Sequence, residues 1–78
     1  MIEKLIELMM RLENFEGCVG DGIAYETRLF EDLGLDSLDK VELGLHIEGE
    51  YEIDIPDEEV KRWETFGDVV QSVERRFG

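Results

Sequence analysis

The chain has 78 residues, 21 of them acidic against 8 basic, for a formal net charge of −13. That balance excludes nucleic acid, whose phosphates need clustered Lys and Arg, and it points to protein partners with basic patches, met by electrostatic steering. No apolar run approaches the roughly 18 residues of a membrane helix, the N-terminus lacks the basic start of a signal peptide, and a lone Cys18 forms no internal disulfide, so the expected location is cytoplasmic.

The chain is expected to form one domain, residues 1–78, with one small core and no oligomeric partner. Residues 1–15 read as a helix: Ile2, Leu5, Ile6, Met9 and Leu12 follow the spacing of a buried stripe, widened by Leu8, Met10 and Phe15. Gly17, Gly20 and Gly22 end it. A long loop follows to about Leu35, with Ile23, Leu29, Phe30 and Leu33 available to pin it to the helices. A second helix is predicted over Ser37–Tyr51, capped by Asp36, with Asp39 favourable to the helix dipole. Asp57 is the expected cap of a short third helix, with Pro56 just outside it. Thr65 and Asp68 form a capping-box pattern that opens a last helix to about Phe77, with Phe66, Val69, Val70, Val73 and Phe77 on its apolar face. The predicted architecture is all-α: a small four-helix bundle of three main helices and one short one, with a long loop after the first.

The second helix carries two apolar stripes. At about 100° per residue, Leu43, Ile47 and Tyr51 fall opposite Leu38, Val41 and Leu45. One small core does not bury both. The stripe with the large aromatic is the expected core face, and the other is the expected docking surface, rimmed by Asp36, Asp39, Glu42 and Glu48. It begins beside Ser37, at the helix N-terminus, where the dipole favours an anion while Asp36 and Asp39 oppose one, so a phosphate group is expected there only through a covalent link. Ser37 has no base beside it, and the lone His46 is nine residues along the same helix, so hydrolase chemistry is disfavoured and no catalytic residue is assigned. Taken alone, Asp36-Ser37-Leu38 also fits a plain N-cap serine. No residue set completes a zinc site or an EF-hand loop.

The segment Phe30-Glu31-Asp32-Leu33-Gly34-Leu35-Asp36-Ser37-Leu38-Asp39-Lys40-Val41-Glu42-Leu43 resembles the acyl carrier protein signature. Glu50 to Glu59 is similar to the family's second signature, with Tyr51 where phenylalanine is usual. The resemblance runs from about Ile23 to Val73. It implies a 4′-phosphopantetheine arm on Ser37, installed from coenzyme A by a phosphopantetheinyl transferase, whose thiol carries acyl groups as thioesters. It implies an apolar interior able to shelter the acyl chain. It further implies docking through Asp36, Leu38, Asp39, Val41, Glu42, Leu45 and Glu48 onto acyl-transfer and chain-elongation enzymes, with no catalysis by the chain itself. Fatty-acid or related biosynthesis is the expected setting. A specialised aminoacyl, polyketide or lipid carrier and an unmodified acidic interaction module are the alternatives.

Three further residues depart from the family pattern. Gly44 and Gly49 lie inside the second helix, where they either loosen it or permit close approach of a partner or acyl chain, and replacing both with alanine is expected to raise the melting temperature. Trp63 stands where a smaller aliphatic residue is usual; it is expected to cover the end of the core, and it turns attention to specialised cargo.

Overall fold

A computed structural model describes residues 2–12, 15 and 23–77. Four helices follow in chain order: α1 Ile2–Met10, α2 Ser37–Tyr51, α3 Asp57–Lys61 and α4 Phe66–Phe77. They enclose one core, built from Leu5, Leu8 and Met9 of α1, Leu43 and Ile47 of α2, Val60 of α3 and Phe66, Val69, Val70 and Val73 of α4. Each large aliphatic or aromatic group buried in this way contributes about 1.5–3 kcal/mol of transfer free energy.

Helix α1 is shorter than its apolar periodicity predicts. After Met10 the chain tightens into i→i−3 turns, with Leu12 N–H donating to Met9 O at 3.0 Å and Phe15 N–H to Leu12 O at 3.2 Å. The tighter winding brings Leu12 into the core and Phe15 against it. Ile2 and Met10, expected on the stripe, are exposed. Residues 13–14 and the glycine-rich segment with Cys18 lie outside the described residues.

The loop from Ile23 to Leu35 is held by backbone as much as by side chains. Leu29 N–H donates to Glu64 O at 2.8 Å, Phe66 N–H to Thr27 O at 2.9 Å and Gly67 N–H to Tyr25 O at 2.8 Å, around an antiparallel bridge between Arg28 and Thr65. The close approach favours Gly67, because a Cβ there would stand a tight 3.0 Å from the Tyr25 carbonyl oxygen. Leu29, Leu33 and Leu35 are buried, and Ile23 packs on the core. Phe30, expected among the pins, is 65% exposed. A helical turn at its base closes through Gly34, whose φ of 73° is the left-handed conformation glycine adopts without strain.

Helix α3 is too short to stand alone, and other elements tie it down. Its N-cap is Pro56, without a side-chain cap bond, and Asp57 is already helical, which corrects the expectation of an Asp57 cap. The Pro56 carbonyl accepts from Glu59 and Val60, and the acidic first turn suits the dipole instead. At the other end Lys40 Nζ donates to the carbonyls of Trp63 at 2.9 Å and Lys61 at 3.4 Å, satisfying acceptors that the helix leaves open. Arg76 of α4 forms a bidentate pair with Glu59, at 2.9 and 3.0 Å, and also donates to Ser72 O and Asp54 O. The Arg76 hydrogen bonds, aided by the Ser72 hydroxyl, hold the Glu59 carboxyl below its usual range. Gly44 lets α2 and α3 come together: a Cβ there would lie 3.2 Å from Val60 Cγ2. The close approach it permits is thus to α3. The capping box that opens α4 is present, with Thr65 and Asp68 exchanging side-chain to backbone hydrogen bonds. The Phe77 side chain lies outside the described residues.

Candidate functional site

Helix α2 has the limits that its sequence predicts, because local groups set both ends. Asp36 is the N-cap: its Oδ1 accepts from Asp39 N–H at 3.0 Å, while Asp39 Oδ2 accepts from Asp36 N–H at 3.1 Å. This reciprocal box uses both carboxylates and makes Ser37 the first residue inside the helix. The Ser37 hydroxyl is therefore not part of the cap, and the residue is exposed. Its side chain stands on the first turn, where backbone N–H groups and the helix dipole favour an anion. At the far end Glu52 takes the left-handed conformation, φ 55°, and its N–H returns to Glu48 O.

The two apolar stripes separate as expected. Leu43 and Ile47 are fully buried, and Tyr51 packs against the core, where burial pushes its phenol above the ordinary range. Leu38 is 75% exposed and Leu45 63% exposed, with Val41 half-buried between them. This strip runs along α2 from the residue after Ser37. Asp36 and Glu42 are exposed beside it.

Two residues expected on the rim have other positions. Asp39 is only 5% exposed, because the capping box turns its carboxylate back onto the backbone. Glu48 is half-buried and its Oε2 accepts from Ile55 N–H at 2.9 Å, which fixes the chain leaving α2. His46 is exposed. The neighbouring cations are engaged elsewhere. Lys40 faces α3, and Arg28 pairs with Glu31 and Asp32 of the preceding loop. The Arg28 backbone N–H, above all, holds the Asp32 carboxyl below its usual range. The strip thus keeps its acidic character. Lys40 and Glu48 matter to the site by fastening its surroundings, a role that only their long-range partners reveal.

A surface of this kind, an exposed serine at a helix start followed by an apolar strip among carboxylates, fits covalent modification and docking better than catalysis. Comparison with known proteins shows the family. Residues 4–73 match the family model described as the phosphopantetheine attachment site. The chain is 42% identical over 74 residues to acyl carrier proteins of Rickettsia canadensis (strain McKiel) and Rickettsia rickettsii (strain Iowa), covering 95% of this chain and 83% of each relative. Among solved structures, a putative acyl carrier protein from Mycobacterium tuberculosis superimposes with a TM-score of 0.74 at 31% identity, over 96% of this chain and 92% of that one. Proteins of this kind are carriers that work with biosynthetic enzymes and are not themselves enzymes, their cofactor is covalent 4′-phosphopantetheine, and among the described residues no helix is long and apolar enough to cross a membrane. With its capped α2, its four helices and these matches taken together, the chain belongs to the phosphopantetheine-binding acyl carrier protein family.

Proposed function

We propose that Ser37 is the attachment point of the 4′-phosphopantetheine arm, and that the chain is a cytoplasmic, monomeric carrier for fatty-acid or related biosynthesis. The observation that carries this reading is the division of labour at the start of α2. Asp36 makes the cap, so the hydroxyl of Ser37 is left exposed on the first turn. A plain N-cap serine would have its oxygen engaged by the backbone instead. When bound, the arm supplies a terminal thiol that holds acyl groups as thioesters. Ser37 Oγ provides the phosphodiester oxygen, and the N-terminal turn stabilises the charge beside it.

The exposed strip of Leu38, Val41 and Leu45, with Asp36 and Glu42, is the surface proposed to dock a phosphopantetheinyl transferase and then acyl-transfer and chain-elongation enzymes through basic patches. Asp39 and Glu48 support that surface from within, by holding the two ends of α2.

Intact mass before and after incubation with coenzyme A, Mg²⁺ and a broad-specificity transferase tests the assignment. A gain of one phosphopantetheine group, lost in Ser37→Ala, is expected. No gain from a folded sample with more than one transferase would overturn it in favour of an unmodified interaction module.

A further inference from the structure

The interior of the bundle departs from a container for a flexible acyl chain. Trp63, between α3 and α4, is 2% exposed and is among the largest fully buried side chains. Its indole Nε1–H donates to Ser72 Oγ at 2.7 Å, and Ser72 is itself buried. The Ser72 hydroxyl in turn helps to hold the Glu59 carboxylate, which Arg76 clamps from outside. The backbone on either side of the indole is fixed as well, since Trp63 N–H donates to Val60 O and Trp63 O accepts from Lys40 Nζ. Val60 closes the α2–α3 seam against Gly44.

An aliphatic side chain in this position could slide aside for an alkyl group at little cost, because one apolar contact replaces another. An indole held in this way cannot. Displacing it strips a buried N–H and a buried hydroxyl of their mutual partner, and an alkyl chain offers no acceptor in exchange. The open space lies at the surface instead: a cleft of about 300 Å³ bordered by Trp63, Ser72 and the charged Glu58, Glu59, Arg62 and Arg75, and one of about 150 Å³ lined by Arg28, Phe30, Glu31, Lys40, Trp63 and Glu64. The smaller cleft mixes four charged side chains with the apolar faces of Phe30 and Trp63, and its volume suits a short acyl group better than a long alkyl chain.

Resting on the Ser37 reading, we infer that Trp63, positioned by Ser72, closes the core to acyl chains, so that this carrier serves short or polar acyl groups carried outside the bundle. Acetyl, hexanoyl and dodecanoyl coenzyme A, supplied to the transferase, load the arm already acylated. Intact mass reports loading, so a failure there counts against Ser37 and not against Trp63. The melting temperature of the wild type is expected to stay level within about 1 °C from acetyl to dodecanoyl, because no chain is sheltered. The emission of Trp63, the sole tryptophan, is expected to stay constant. In Trp63→Leu the dodecanoyl form is expected to melt at least about 4 °C above the acetyl form. Ser72→Ala keeps the indole but removes its acceptor, and a smaller rise with chain length is expected there; it decides the matter if Trp63→Leu does not fold. A wild-type melting temperature that climbs with chain length, or a shift of Trp63 emission on dodecanoyl loading, overturns the inference. So does a level profile in the folded variants.

Discussion

The start of α2 and the α3–α4 end of the bundle solve opposite problems. At the start of α2 the helix is secured by its own neighbours: Asp36 and Asp39 close the cap, and Leu43 and Ile47 anchor the inner face. Ser37, Leu38 and Leu45 are thereby released from structural duty and face solvent. Helix α3 has five residues and cannot secure itself, so Lys40, Gly44 and Arg76 from distant parts of the chain hold it. The lesson is that a helix whose outer face is left to solvent needs local self-sufficiency, whereas a short closing element takes its stability from elsewhere.

The strongest way to break this comparison lies within α2 itself. Leu43→Ala is expected to destabilise the fold by about 2–5 kcal/mol in urea denaturation. Leu45→Ala, two positions on, is expected to change stability by no more than about 0.5 kcal/mol, while lowering the rate of phosphopantetheine transfer. Similar losses from the two variants would show that the exposed stripe is part of the core after all.

The α3 clamp offers the next largest effect. Glu59→Gln removes the charge from a pair that is about a quarter exposed on each side, and a loss of about 1–2 kcal/mol at neutral pH is expected after allowance for solvent screening. The carboxyl is held below its ordinary pKa in the folded state, so its contribution is fully present above the ordinary carboxylate range and fades as pH falls through the folded value. The stability difference between wild type and Glu59→Gln should therefore narrow on acidification. A difference that is constant with pH would assign the role of Glu59 to packing.

The glycines give the smallest and most discriminating effects. Nothing lies within 4 Å of a Cβ at Gly49, so Gly49→Ala should gain about 0.5–1 kcal/mol, a rise of several degrees in melting temperature. Gly44→Ala should gain less or lose, because its methyl meets Val60. Equal gains at both positions would mean that α3 adjusts freely, contrary to a tightly tied element.

The parts legible in the sequence are those governed by nearby residues. The limits of α2, its Asp36 cap, the Thr65–Asp68 box and the sorting of α2 into two stripes all follow from periodicity and from groups within four residues of one another. The signature around Ser37 was legible for the same reason. Other features needed residues far apart in the chain. Glu48 faces Ile55, Lys40 reaches Trp63, Arg76 grips Glu59, and the Tyr25 carbonyl rests on Gly67. Phe30 looked like a core residue by composition, yet Leu29, Leu33 and Leu35 fill the space around it in sequence and leave it outside. Trp63 was visible as a bulky departure, but its hydrogen bond to Ser72, nine positions away, exists only once α4 folds back on α3. Hydrophobic periodicity and capping act over one helical turn and can be read from a string. Which polar group meets which across the core is decided by close packing in three dimensions, where a partner's distance along the chain carries no information.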